Sequence, residues 1–558
     1  MNSSRTALAA LAGLSLLTAL ACESAPSPQP PARQPAPAAR SSTADDAATA
    51  NSHGALTAFL PSERCALCHS SSPSASAMTT PTGDDVSPFE TWSATAMANS
   101  FRDPYWRAQM AHEIESDPER QVEIEATCLT CHAPMSHHTA RLGGAPAPTM
   151  ADALTSPLAE DGVSCTVCHR TRPEGLGEES TFNGALPVGA DDTVFGPYKD
   201  PATGPMRANT GFTPTHGAHI QSSALCGSCH TLFTEAHGAA PFLEQGPYLE
   251  WRNSVYSDER GATSLSKSCQ ECHMPDVGSM KIARNPRGID FNIAVRPDVR
   301  AHTFVGGNTL LLELLRDHSD ALGVTASERA LERVLDATRA QLAHSTARVS
   351  LVNSQRTESE LRFDVKVENL TGHKFPSGYP ARRAWLRVNV RAGSQTLFDS
   401  GGFDERGRLR GVADEFGLPH FDTIERPEQV QVYELVAADA DGRATTSLRA
   451  MTRPIKDNRL LPRGWKRDGP HAEQTAPVGV TDENFSGGGD VVTYRVALPP
   501  DTQNLIATVW LHYQPIPPHW VEALREAKSP DAATFMEMYD AADPRPETAA
   551  LTIEVFER

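Results

Sequence analysis

Cysteine and histidine recur together five times in this chain of 558 residues, always as Cys-x-x-Cys-His. The copies are Cys65, Cys68 and His69; Cys128, Cys131 and His132; Cys165, Cys168 and His169; Cys226, Cys229 and His230; and Cys269, Cys272 and His273. Thiols three positions apart lie about one helical turn from each other, so both can reach the vinyl groups of one porphyrin and form thioethers. The following histidine then meets the iron from one side. Each pentapeptide reads as a c-type haem attachment site, with the five histidines as proximal iron ligands. Zinc ribbons, thioredoxin-like pairs and disulfides are the rival uses of Cys-x-x-Cys, but none of them needs a histidine after every second cysteine. Random placement gives on the order of 0.01 such pentapeptides in a chain of this composition. Ten of the 11 cysteines are used in this way, and the expected cofactors are five covalently bound haems.

The eleventh, Cys22, follows a leading segment. Residues 1–21 carry Arg5, then an apolar run from Ala7 to Leu20, and end on Ala19-Leu20-Ala21, the pattern of a secretory signal peptide. Cys22 fits a lipoprotein acceptor, although Ala19 and Leu20 depart from the usual lipobox; Ala19-x-Ala21 equally suits ordinary signal peptidase. We expect lipidation at Cys22, because a free thiol on an exported chain is reactive. Haem attachment in bacteria takes place outside the cytoplasm, so the leader and the five motifs agree. The expected location is the periplasm or the outer membrane and cell surface, with membrane attachment through the lipid. Residues 22–52 are rich in proline and alanine and should form an extended tether. The net charge of −19 does not suit a nucleic-acid partner. An acidic electron carrier instead meets basic patches on redox protein partners.

The elements that must position the five motifs change character along the chain. Residues 53–305 have few periodic stretches and many Pro, Gly and Ser, with a motif about every 50 residues. Porphyrins must supply the apolar interior of this pentahaem section, with short helices at the motifs and loops around the rings. Residues 306–345 read as a helical hairpin. Asn308 caps a helix through Leu310, Leu311, Leu314 and Leu315 that Gly323 ends, and Thr325 with Glu328 suggests the capping box of a second helix. From 346 to 558 the period becomes two: Leu361, Phe363, Val365 and Val367 alternate with Arg362, Asp364, Lys366 and Glu368, and similar strands recur to Phe556. The expected fold class is α+β multidomain: a mostly helical and irregular multihaem domain, a short helical element, then a C-terminal all-β sandwich.

The opposite face of each iron decides between carrier and enzyme, because two strong ligands favour electron transfer and an open position admits a substrate. His112 precedes the second motif in a helical stretch, His137 and His138 follow that motif, and His216 and His219 precede the fourth. One residue of each pair is expected as a distal ligand. His302 lies beside Gly306 and Gly307, which would let a porphyrin approach closely. His373 occupies a turn between two strands; as a ligand it would dock the sandwich onto the haem section.

The five motifs, the runs Cys131 to Met135 and Cys272 to Pro275, and the stretch His302 to Asn308 resemble the multihaem cytochrome c superfamily. That superfamily includes tetrahaem electron carriers, pentahaem nitrite reductase and octahaem hydroxylamine oxidoreductase. Residues 369–385 are also similar to a C-terminal β module of some exported bacterial multihaem cytochromes. The resemblance implies haems packed edge to edge, mostly bis-histidine ligation, and electron transfer along the row. The chain has no Cys-x-x-Cys-Lys motif, which pentahaem nitrite reductase carries at its catalytic haem. The expected function is electron transfer between redox partners in the cell envelope, with no catalytic residue assigned. The alternative is reduction or oxidation of a small nitrogen or sulfur compound at one five-coordinate haem.

Overall fold

A computed structural model describes residues 58–236 and 238–557. The signal segment 1–21, Cys22 and the tether 22–52 lie outside the described residues.

Four of the five motifs sit on short helices, Ser62–His69, Gln121–His132, Cys165–Arg170 and Cys269–His273, and the fourth motif starts at the end of Ser223–Gly227. Local chemistry sets these ends. Ser268 and Glu271 form a reciprocal capping box at the fifth motif, and Asp103 accepts from the amides of Tyr105 and Trp106 to start the helix Pro104–Ser116. Side chains build only small apolar clusters here, such as Phe101, Trp106, Met110, Ile124 and Leu129 around the second motif. Most of the remainder is loop, with two two-stranded sheets.

The hairpin between the halves follows the sequence pattern with one change of cap. Asn308 caps the helix Thr309–Asp317, a short turn Ser319–Leu322 ends on left-handed Gly323, and the second helix runs Glu328–Gln341. Its cap is Ser327, whose hydroxyl accepts from the Ala330 amide, and not the expected Thr325. Leu331, Val334 and Leu335 pack on Leu311, Leu312 and Leu315.

Beyond it two sheets face each other. One has the order Ala347–Arg356, Glu360–Asn369, Gly489–Ala497, Thr423–Ile424. The other has Val432–Tyr433, Arg383–Ala392, Leu505–Gln514, Glu547–Phe556, with Gln395–Ser400 also on Arg383–Ala392. Alternation puts Leu361, Phe363, Val365 and Val367 inward against Leu386, Val388, Val509 and Leu511. The chain from Val432 to Ala438 divides at Glu434: Val432–Tyr433 joins the second sheet, whereas Leu435–Ala438 pairs with Arg453–Asp457. Helices Pro518–Arg525 and Pro530–Ala541, which the alternation does not announce, leave the sandwich and lay Trp520, Leu524 and Phe535 on Tyr105 and Ala108 of the haem section. The described residues thus pack as one compact unit. None of their helices is long and apolar enough to cross a membrane.

Phe363 is fully buried and stacks on Tyr494 with ring centroids 5.6 Å apart. Phe363→Ala is expected to cost about 3–5 kcal/mol, read as a lower unfolding midpoint in denaturant. An unchanged midpoint would place the sandwich core elsewhere.

Candidate haem site

Four motif histidines turn one ring nitrogen into the protein. The Nδ1 atoms of His69, His132, His169 and His273 lie 2.9, 2.8, 2.6 and 2.5 Å from the carbonyls of Ile282, Ser100, Phe195 and Val305. A neutral imidazole that donates from Nδ1 keeps its lone pair on Nε2, the nitrogen that then faces a metal. Desolvation by the surrounding chain lowers the pKa of all four, to about 4 for His132, and so favours the neutral, ligating form.

Two further imidazoles face motif histidines. The rings of His169 and His302 have centroids 6.5 Å apart and planes 24° apart; those of His273 and His373 are 6.2 Å and 16° apart. An imidazole nitrogen bonds a metal at about 2 Å and lies about 1 Å from its ring centre, so rings on opposite sides of one ion have centroids about 6 Å apart. Rings in direct stacking contact are closer, as His132 and Trp106 are at 4.2 Å. His302 and His373 also direct Nδ1 to backbone carbonyls, of Arg300 at 3.1 Å and Lys374 at 2.8 Å.

The remaining sequence candidates are placed differently. His138 is buried with both nitrogens engaged: Nε2 on the Gly184 carbonyl at 3.0 Å and Nδ1 accepting from Arg141 at 3.2 Å. Its neighbour His137 is half-buried and has only the Thr130 hydroxyl, 3.3–3.4 Å away. His219 uses Nε2 on the Thr171 carbonyl at 2.9 Å, whereas His216 is exposed. His112 is half-buried on the helix Pro104–Ser116. Gly307, expected to leave room for a porphyrin, instead leaves room for Tyr513, whose hydroxyl would stand 2.7 Å from an added Cβ.

The ten described cysteines are free of disulfides, and the motifs meet through them. Cys65 lies beside Cys165, Cys131 beside Cys229, and Cys226 beside Cys269. The first motif therefore touches the third, the second touches the fourth, and the fourth touches the fifth. Gly184 lies against the second motif in a left-handed conformation, φ +74°, where a Cβ would stand 2.9 Å from Cys131 Sγ. Paired thiols, with an oriented imidazole beside four of the five pairs, fit a covalently attached porphyrin iron.

The turn bearing His373 is held by buried charges that sequence reasoning missed. Glu250 accepts from the Lys374 amide at 3.0 Å and the Ser377 hydroxyl at 2.5 Å, and pairs with Arg459 at 3.3 Å. The Lys374 ammonium and Arg459 both reach Asp457, at 2.6 and 2.8 Å. Asn369 and Thr371 both donate to the His373 carbonyl at 2.8 Å. Lys374, adjacent to a candidate ligand and flanked by apolar residues, was the one signal of this network in the sequence.

Thiol pairs, half-buried imidazoles and facing rings are the arrangement that a covalently attached haem would need. Residues 64–170 match the family described as cytochrome c554 and c-prime. The matched residues contain the first three of the five Cys-x-x-Cys-His motifs. A penta-heme cytochrome c552 from Thermochromatium tepidum is similar in structure, with a TM-score of 0.49 and 15% identity, covering 90% of this chain and 100% of that one. No curated protein matches the chain.

Replacing Glu250 by Ala leaves Arg459 short of a buried partner and is expected to cost about 3–5 kcal/mol. The measurement is denaturant unfolding of the holoprotein; a change below about 1 kcal/mol would mean that the network carries no part of the docking.

Proposed function

We propose that the chain carries five c-type haems, one on each motif, and passes electrons along them between redox protein partners in the bacterial cell envelope. The observation that carries this reading is the two pairs of facing rings, His169 with His302 and His273 with His373, spaced for one ion between each pair. Bound haem iron supplies the one-electron chemistry. The residues of this chain orient and insulate it: His69, His132, His169, His230 and His273 are the proximal ligands, and His302 and His373 the distal ligands of the third and fifth motifs. In each of these two pairs, Nδ1–H bonds to carbonyls fix both rings, so that a change of charge meets a preorganised site.

The thiol contacts support an order of neighbours in which motif one adjoins three, and motif four adjoins two and five. Cys168 also lies near Cys229, which brings motif three to motif four. A path from the first to the fifth motif follows, with the second beside the fourth.

The leader sequence supports export to the periplasm or the outer membrane, with a lipid on Cys22 as the membrane attachment. Among the other distal candidates, His137 and His216 keep more of their rings free than His138 and His219, while His112 stays with them as a candidate.

A second reading, conversion of a small nitrogen or sulfur compound at one haem, has a specific feature in its favour beside the second motif. Glu244 is buried there with its pKa raised to about 7 by desolvation, in the neighbourhood of Cys128, Glu113 and the hydrogen-bonded hydroxyls of Tyr105 and Tyr379, 3.1 Å apart. These groups could carry protons to a reacting ligand.

Mass analysis of the mature holoprotein is expected to show about 3 kDa of added macrocycle; a smaller multiple of one haem would lower the count. His302→Ala is expected to turn one low-spin haem high-spin in the electron-paramagnetic spectrum and leave the others unchanged. An unaltered spectrum would remove His302 from the ligand set. A high-spin signal already present in the wild type, and perturbed by nitrite or hydroxylamine, would favour the second reading. Electron-transfer rates with a basic partner are expected to fall as salt rises, as the net charge of −19 implies.

A further inference from the structure

Outside the five motifs, His420, Asp482 and Asp490 meet within the sandwich, with one ligand atom of each within 4.8 Å of the other two. His420 Nε2 lies 3.2 Å from Asp482 and 3.8 Å from Asp490, and the three side chains are only 3%, 8% and 0% exposed. Both carboxylate oxygens of Asp482 are buried without a hydrogen-bond donor. Asp490 is better served, by the Tyr433 hydroxyl at 2.8 Å and the Val491 amide at 2.7 Å. The cation that bears on this group, Lys456, is committed to Glu434 at 2.9 Å, and Asp422 adds a further negative charge. Buried carboxylates need a partner charge, a proton or a metal ion.

His420 does not supply that charge, because its protonation is fixed by its neighbours. Its Nδ1 accepts from the side-chain amides of Gln431 at 2.7 Å and Asn458 at 3.0 Å. Neither amide can be reversed. The Gln431 oxygen accepts from the Phe421 amide at 2.8 Å, the Asn458 oxygen from the Glu434 amide at 3.0 Å, and the Asn458 nitrogen also donates to the Val432 carbonyl at 2.8 Å. The proton of the neutral ring is therefore on Nε2, facing the carboxylates. A zinc ion would require the lone pair of that nitrogen, whereas a hard cation takes oxygens and leaves the N–H in place.

We propose that Asp482 and Asp490 bind a hard divalent cation of the calcium class, with His420 Nε2, 3.2 Å from Asp482, outside the coordination shell. Two bonds of about 2.3–2.6 Å span the separation of the ligand oxygens. The ion would tie the Asp482 loop to the strand Gly489–Ala497. That loop supports a docking contact: Gly487 packs on the Trp465 backbone, and the neighbouring Arg463 and Lys466 carbonyls accept from Val255 and Asn253 of the haem section.

The test uses the full holoprotein, stripped with a chelator and titrated with calcium chloride in a calorimeter, with thermal unfolding followed in parallel. Expected are one calcium ion per chain and a raised melting midpoint, with Asp482→Asn weakening the affinity by about tenfold or more and leaving the haem spectrum unchanged. Absence of both heat and midpoint shift in the wild type would overturn the proposal and leave the pocket to a proton. Tighter binding of zinc chloride, lost in His420→Gln, would overturn the oxygen-ligand assignment. Should Asp482→Asn fail to fold, the wild-type titration decides by itself.

Discussion

A hydrogen bond between imidazole Nδ1 and a backbone carbonyl is the contact on which the haem section turns. It selects the tautomer and rotates the ring, and so determines which nitrogen is left to a metal. The acceptors are not local. His69 uses the carbonyl of Ile282, His132 that of Ser100, His169 that of Phe195 and His273 that of Val305. Each motif carries its own thiols and imidazole on or just after a helix, but for four of the five the atom that aims the imidazole arrives from a distant segment. The segments between the motifs are therefore working parts of the site.

The sandwich contributes to the same site by a different physics. Its two sheets have a continuous apolar core and need no cofactor to bury it. This stable body presents the turn Asn369–Ser377 to the haem section, where Glu250 receives it and where His373 comes to face His273. The buried charges of Glu250, Lys374, Asp457 and Arg459 balance two against two, so the docking contact is polar and specific without leaving a net charge inside. The helices Pro518–Arg525 and Pro530–Ala541 form a second, apolar contact on Tyr105 and Ala108. Through these two contacts the sandwich bears on regions beside the second and fifth motifs.

The sequence made these parts legible to different degrees. The five pentapeptides are readable because thioether attachment needs two cysteines and a histidine at fixed spacing. The sandwich strands are readable because Leu361 to Val367 alternate cleanly between two faces. The helices between Pro518 and Ala541 were missed because they interrupt a run of strands and bury their apolar side on a distant helix. His302 and His373 could be nominated from their surroundings, but choosing within His137/His138 and His216/His219 required knowing which ring nitrogens the fold occupies. Backbone acceptors such as the Ser100 carbonyl have no sequence signature at all. Thr325 and Ser327 show the same limit at short range: either hydroxyl could cap the helix, and a shift of two residues decides.

The thiol contacts between motifs also bear on how such a protein is made. Cys65 with Cys165, Cys131 with Cys229, and Cys226 with Cys269 are brought side by side by the folded backbone. A polypeptide that reached this arrangement before its thiols were consumed would hold them where an oxidant joins them, and each wrong bridge would disable two attachment sites at once. In an oxidising compartment, thioether formation would compete with misoxidation, and the close packing of the folded chain would place that hazard in its own maturation.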